Sequence, residues 1–296
     1  MEPSTPQDPD GNQATDKDML LICPVCDAPL SWGDRTCLCS QGHSFDLARE
    51  GYANLLLSHC RRSKDPGDST EMVQARRRFL DSGAFARLSE LIQNTIRELL
   101  AAGKASGSAN IVDSGCGEGY FLGALQGITT GPAYGVDVSK PAIRLAARRY
   151  RHARWVIANI MRKMPFASHS IDVILSVLAP RNVAEFTRIL KPSGSLVMVV
   201  PGPDHLLELR SRLMADASPS QTKTDTAIKA CEPHLALQQK KSITYEMLLN
   251  KDALADAVQM TPLFWRSTRE AKADLAGLDE LRVTMSFVLL TFACAE

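Results

Sequence analysis

Two sets of side chains in this chain have the types and spacing to do chemistry. The first is a group of thiols and one imidazole near the N-terminus. Cys23 and Cys26 flank a two-residue turn, and Cys39 and His43 follow, giving C-x2-C-x12-C-x3-H. Four borderline-soft ligands at that spacing can close on one tetrahedral ion, and zinc suits them. Cys37 competes with Cys39 for the third position, although the three-residue gap to His43 favours Cys39. Four protein ligands leave no position open for water, so one structural Zn2+ per chain is expected. Binding worth ~10–16 kcal/mol in zinc-finger peptides can fold a module with few core residues. Free buried cysteines, the competing reading, do not account for the paired spacing.

The second set is a glycine loop, VDSGCGEGY at 112–120, at a strand end and opening a helix. Its glycines let the backbone approach a ligand, and its N–H groups with the helix N-terminus favour negative charge. The spacing D-x-G-x-G-x-G differs from the G-x-G-x-x-G of dinucleotide sites. It resembles motif I of class I S-adenosylmethionine-dependent methyltransferases, where the loop receives the methionine end of the cofactor. Asp113, Gly115, Gly117, Glu118 and Gly119 are then the loop candidates. Asp137 ends the next strand, 24 residues after Asp113, where an acid can accept from both ribose hydroxyls. Asp137 could instead be a turn acid capping the helix at Ser139. Asn159 ends the third strand, facing the expected adenine edge. Cys116 reads as a small packing residue.

These groups need a scaffold, and the pattern supplies one. Strand signals at 110–115, 133–138, 154–159, 171–179 and 195–202 alternate with helix signals at 119–127, 140–150 and 183–190. That alternation predicts a Rossmann-like, doubly wound α/β sheet. Apolar stripes in 70–83 and 84–103 predict two helices ahead of the sheet. Beyond it come a helix from Asp204, a polar stretch at 216–226, a strand near 242–248, a helix at 250–259 and a strand at 281–293. The expected divisions are a disordered tail (1–22), a zinc-binding RNA-recognition module (23–66), a helical linker (67–105) and a methyltransferase domain (106–296).

At 296 residues, 45% hydrophobic and 23% charged, the chain can bury a large core without disulfides. No apolar run reaches 18 residues, so a transmembrane helix is not expected. The N-terminus lacks a basic-then-apolar signal, so the expectation is a cytoplasmic protein with no membrane partner. Formal net charge is +1, so any polyanion site must come from local clustering. Arg61, Arg62 and Lys64, then Arg76, Arg77 and Arg78, then Arg144, Arg148, Arg149, Arg151 and Arg154 are such clusters. Each could neutralise phosphates, and each could equally be a solvated helix face.

The combination resembles one family. CPVC, HSFDLAREGYANLL (43–56), RRSKDPGDSTEMVQARRRFLDSG (61–83), the glycine loop, GVDVSKPAI, PGPDHLLEL (201–209) and QMTPLFWR (259–266) are similar to the zinc-containing 23S ribosomal RNA (guanine-N1)-methyltransferases. The resemblance implies Cys23, Cys26, Cys39 and His43 as zinc ligands. It also implies Phe85, Gly117, Glu118 and His205 as cofactor contacts, with Phe85 in place of a tyrosine. It further implies S-adenosyl-L-methionine as cofactor, a homodimer, and a guanine in a hairpin loop of 23S rRNA domain II as target.

Methylation at guanine N1 requires loss of the N1 proton, so a base is needed. Asp204 and His205 are candidates by position, though Asp204 could instead cap the following helix. Trp265 could stack on a base or belong to the core. A small-molecule (quinone-type) methyltransferase would share the glycine loop without needing the zinc cluster. A non-catalytic zinc-dependent RNA-binding factor would not need an intact loop.

Overall fold

The computed structural model describes residues 20–58, 66–103, 108–214, 222–261 and 267–294. Arg61, Arg62, Lys64, Trp265 and residues 1–19 of the expected tail lie outside them.

The Cys/His block forms a small antiparallel sheet, β1 (Leu30–Trp32), β2 (Thr36–Cys39) and β3 (Ser44–Asp46), in the order β1-β2-β3. The next strand, β4 (Tyr52–Asn54), leaves that sheet and pairs in parallel with the edge of the main one. Two helices follow, α1 (Thr70–Asp81) and α2 (Ala86–Ala101). Ser69 caps α1 by accepting from the Met72 N–H at 3.3 Å. Both helices bury one stripe, Val73 and Phe79 on α1 and Leu88, Ile92 and Ile96 on α2.

The main sheet is built from β5 (Ile111–Ser114), β6 (Ala133–Asp137), β7 (Arg154–Ile157), β8 (Ile171–Val177), β9 (Leu190–Pro201), β10 (Leu235–Asn250) and β11 (Glu280–Cys294). Its order is β10-β11-β9-β8-β5-β6-β7-β4. The five central strands run parallel, and β11 inserts antiparallel between β9 and β10. The order reverses between β5 and β8, so a ligand crevice opens beyond their carboxyl ends. This is the expected class I methyltransferase architecture, with a mixed sheet.

One face of the sheet packs on α1, α2, α4 (Lys140–Arg149), α6 (Leu207–Leu213), α8 (Lys251–Gln259) and α9 (Arg269–Ala276). The other face packs on α5 (Val183–Ile189), α7 (Thr222–Cys231) and the metal module. No helix connects β7 to β8. In its place Leu20, Leu21 and Leu30 of the module cover Tyr134, Val136 and Val156. Backbone bonds secure this contact: Ile22 N–H to the Pro165 carbonyl at 3.1 Å and Ala167 N–H to the Leu20 carbonyl at 2.9 Å. The Trp32 and Tyr134 rings meet edge-on at 6.5 Å.

Several elements differ from the sequence reading. The helix expected over 119–127 is the single turn α3 (Tyr120–Gly123), because the chain tightens into three-residue turns and Gly127 takes φ 78°. The strand expected near 242–248 runs 16 residues, from Leu235 to Asn250. Its Gln238–Lys240 stretch is exposed on an edge strand and the half-buried Lys241 pairs with Glu98 at 2.7 Å, so strand pairing there strands no charge. The helix expected from Asp204 begins at Leu207.

Leu21 is 1% exposed and joins the module to the sheet. Leu21→Ala should cost about 2–5 kcal/mol by leaving a cavity. Trp32 and Trp155 report on opposite sides of that joint, so urea unfolding followed by fluorescence should show one shared transition at lower denaturant. Two separate transitions would mean that the module and the sheet fold independently.

Candidate functional site

The metal cluster assembles from two turns. Cys23 and Cys26 sit on the turn before β1, and Cys39 and His43 bracket the turn between β2 and β3. The Cys26 and Cys39 sulfurs are 3.4 Å apart, and His43 Nδ1 lies 3.4 Å from Cys26 Sγ and 3.6 Å from Cys23 Sγ. All four ligand atoms fall within 4.8 Å of one another. Zinc bonds of about 2.3 Å to sulfur and 2.0 Å to nitrogen place tetrahedral ligand atoms about 3.5–3.8 Å apart, so the donors fit the ion. Two turn amides support the sulfurs, Val25 N–H to Cys23 at 3.5 Å and Gln41 N–H to Cys39 at 3.3 Å. Cys37 stays outside the cluster. It lies two residues back along β2, about 6–7 Å away, and burial pushes its thiol up to about 12.

The glycine loop leaves β5 at the switch point. Gly115, Gly117 and Gly119 all take positive φ, 79°, 54° and 82°. Their surroundings differ. A Cβ on Gly119 would stand 2.4 Å from the Trp155 indole, whereas one on Gly117 would meet only Arg76 Nη1, at 3.5 Å. Gly119 is therefore required by packing inside the protein, and Gly117, also buried, is covered on its Cβ side by the Arg76 guanidinium.

Asp137 joins the loop to the second strand. Its carboxylate accepts from Gly117 N–H at 3.0 Å and from Ser139 N–H at 2.8 Å. Ser139 itself caps α4 through the Ala142 N–H. Burial raises Asp137, and those two amides oppose the rise. Glu118 is 5% exposed and also raised by burial, with Arg76 pulling it back. Asp113 is sealed beneath the loop at 1% exposure. Its oxygens make no full hydrogen bond, and the nearby Leu122 amide offers only partial relief. Burial, then the charges of Asp137 and Glu118, push Asp113 up to about 8. An underpartnered, acid-rich cradle beside a glycine loop fits a cationic donor that carries its own ammonium and sulfonium groups. Asn159 lies beyond β7 in a cavity of about 110 Å³ shared with Cys23, Leu57 and Arg162. Its side-chain oxygen accepts from Met161 N–H at 3.0 Å.

Phe85 and His205 come together through a residue the sequence reading did not single out. Phe287 of β11 lies 5.1 Å from the Phe85 ring and 4.5 Å from the His205 ring. Phe85 is 3% exposed and also meets Phe79 and Phe121. Phe287 gives no local signal, since a buried aromatic in a strand usually reads as core. His205 Nδ1 accepts from Ser286 N–H at 3.3 Å, which assigns its proton to Nε2. Burial, with Lys223 and Arg210 nearby, pulls its pKa down to about 3. It is thus a neutral donor across the physiological range. Asp204 is exposed one residue earlier, and no side chain caps α6. Leu178 after β8 and Leu206 after β9 hold left-handed backbone, φ 53° and 52°, so the crevice rim carries strain.

The described basic clusters are mostly engaged in ion pairs within the chain. Arg76 pairs with Asp68, Arg77 with Asp81 at 3.7 Å, and Arg78 with Asp256. Arg144 and Arg148 both hold Glu50, at 2.8 and 2.9 Å, and tie α4 to the segment between β3 and β4. The Arg144 hydrogen bond holds Glu50 at about 2. Arg149 pairs with Asp81 at 2.7 Å, and Arg154 binds the Tyr134 hydroxyl at 2.8 Å.

Two measurements check this geometry. Cys39→Ala should lose the bound zinc and Cys37→Ala should keep one ion per chain by elemental analysis; the reverse pattern would move the third ligand to Cys37. Asp113 is raised in the fold above its ordinary value near 4. Its contribution to cofactor-free stability is therefore full below about pH 4 and is lost as pH rises through about 8. Asp113→Asn should flatten that decline in thermal unfolding between pH 5 and 8.5. An unchanged slope would place the strain elsewhere.

Comparison with known proteins agrees with the two-part site. A family model described as "RlmA, N-terminal", a zinc ribbon, matches residues 21–64, and a "Methyltransferase domain" model matches 112–198. The chain is 35% identical over 274 residues to the 23S rRNA (guanine(748)-N(1))-methyltransferase of Streptomyces fradiae, covering 91% of this chain and 95% of that protein. It is 33% identical to YxjB of Bacillus subtilis (strain 168), covering 92% and 96% of the two chains. A malonyl-[acyl-carrier protein] O-methyltransferase of Methylovorus sp. (strain MP688) is 31% identical over only 49% of this chain. The match thus runs from the metal ligands through the cofactor loop, and the chain belongs to the 23S rRNA (guanine-N1)-methyltransferase family, with a zinc ribbon and an S-adenosylmethionine-dependent methyltransferase fold.

Proposed function

We propose that this protein transfers a methyl group from S-adenosyl-L-methionine to N1 of a guanine in 23S rRNA, at a hairpin loop of domain II. The observation that carries this reading is the packing of a four-donor Cys/His cluster module against the sheet that bears an acid-lined glycine loop. The small-molecule alternative uses the second part alone, and the malonyl-[acyl-carrier protein] O-methyltransferase match spans only 49% of this chain.

Bound at the crevice, the cofactor would supply an electrophilic methyl group. Gly117 and Glu118 would hold its amino-acid end, Asp137 the ribose side and Phe85 with His205 the reacting end. Asp137 has both carboxylate oxygens preset by the Gly117 and Ser139 amides, so its geometry needs no rearrangement on binding. Alignment of this kind is worth effective molarities of ~10⁵–10⁸ M.

The protein's own acid–base work concerns the N1 proton of guanine. His205 does not accept it, because its Nε2 already carries hydrogen and its Nδ1 is occupied by Ser286. Its Nε2–H can instead donate to an oxygen that gains charge as N1 becomes nucleophilic. Asp204, exposed on the same turn, is the proposed acceptor. The target base must be unstacked to reach the rim. The zinc ribbon is proposed to read the folded RNA by shape and phosphate contact, with Arg61, Arg62 and Lys64 next to it in sequence. Arg76 and Arg77, already engaged in ion pairs, are weaker phosphate ligands in this arrangement. A cytoplasmic site of action and a homodimer complete the reading. Among the described residues no helix is long and apolar enough to cross a membrane.

Labelled cofactor and unmodified 23S rRNA should give a primer-extension stop one nucleotide before a domain II loop guanine. Label entering only small acceptors would reject the RNA reading. Asp137→Ala should weaken cofactor binding at least tenfold, the loss of charge-assisted bonds, with zinc content unchanged. Asp204→Asn should lower kcat and alter its pH profile while cofactor affinity stays the same.

A further inference from the structure

Arg76 reads in sequence as one of three consecutive arginines that could meet phosphate. The fold turns it inward, over the glycine loop. Its Nη2 pairs with the Asp68 carboxylate and donates to the Met260 carbonyl at 3.4 Å. Both bonds use the same nitrogen. The other nitrogen, Nη1, points at Gly117 and is the one heavy atom within 4 Å of where a Cβ would stand on that glycine. Among the described residues no hydrogen bond engages it.

The segment that carries Arg76 is itself pinned to the site. A Cβ on Gly67 would stand 2.9 Å from Ser139, and the Ser139 hydroxyl donates to the Asp68 carbonyl at 2.9 Å. Ser139 also donates its N–H to Asp137. Asp68, Arg76, Gly117 and Asp137 are therefore parts of one connected wall. On that wall Asp68, Glu118 and Asp137 all act electrostatically on the guanidinium. An acidic wall welcomes the ammonium and sulfonium of the methyl donor and repels its carboxylate. The carboxylate needs a cation of fixed geometry, and a guanidinium with one free edge is suited to it.

We propose that Arg76 Nη1 receives the α-carboxylate of the methyl donor, with Asp68 holding the guanidinium over Gly117. This rests on the cofactor assignment above. It gives the DPGDS…QARRR block a cofactor-binding role distinct from RNA contact. A purely structural role, neutralising buried Glu118, would leave no preference for a carboxylate-bearing ligand.

The test is calorimetry on the full-length, zinc-loaded chain with two probes, S-adenosylhomocysteine and 5′-methylthioadenosine. The second keeps the adenosine and thioether and lacks the amino-acid end. Its ammonium is missing against every variant alike, so the ratio of the two affinities isolates the effect at residue 76. Arg76→Gln should weaken S-adenosylhomocysteine on the order of tenfold to a hundredfold, the range for losing a hydrogen bond to a charged group. Methylthioadenosine should change less than about threefold. Arg76→Lys, which keeps the charge without the fork, should fall between, and it carries the comparison if the Gln variant does not fold. Equal weakening of both probes, or none for S-adenosylhomocysteine, would overturn the inference. A wild-type chain that takes up neither probe would instead overturn the cofactor assignment, and the inference with it.

Discussion

The indole of Trp155 decides where the cofactor loop can lie. It is 1% exposed on β7, and its Nε1 is fixed by the Tyr150 carbonyl at 2.9 Å. A side chain on Gly119 would stand 2.4 Å from it, and one on Gly135 of β6 would stand 2.2 Å away. One large ring thus presses the loop down on two strands at once. Close packing allows no other residue at either glycine without displacing the ring. At Gly117 no side chain of the core intrudes, and Arg76 Nη1 is the neighbour on the Cβ side. A feature that looks like ligand binding in sequence is therefore shared between core packing and ligand approach.

A second constraint is the far face of the sheet. A parallel sheet must be covered on both sides, and between β7 and β8 the chain supplies no helix to do it. The metal module takes that place. Its Leu20, Leu21 and Leu30 lie against Tyr134 and Val156, and β4 extends the sheet beside β7. Zinc held by Cys23, Cys26, Cys39 and His43 would stabilise the turns that present these leucines. Metal binding would then steady the methyltransferase core as well as its own module.

Charge is arranged by the same logic. The arginine clusters that suggest a polyanion site are largely committed to carboxylates from other elements: Glu50 on α4's neighbour, Asp81 within α1, and Asp256 on α8. The Arg78 and Arg149 links reinforce the direct packing of α1 on α8 and on α4. The acids, by contrast, collect at the loop, where Asp113, Glu118 and Asp137 are all raised by burial. The surroundings of the glycine loop are acidic with one guanidinium set into them, the charge pattern on which the proposed cofactor contacts rest.

The sequence by itself determined the parts whose signal is local. Ligand spacing identified the metal set, because four donors within 21 residues can reach one ion only in a few ways. The glycine loop, the strand-end acid Asp137 and the β-α alternation were legible for the same reason, since each is a short-range pattern. Strand lengths were less so: the exposed edge of β10 carries Gln238–Lys240, which no apolar alternation reveals. What only the tertiary structure decided concerns pairs far apart in the chain. Arg76 over Gly117, Phe287 between Phe85 and His205, and the metal module in place of a helix join residues separated by tens to hundreds of positions. Their side chains look like ordinary surface charge or core in sequence. Packing alone selects which partner each one meets, so their roles follow from the assembled sheet.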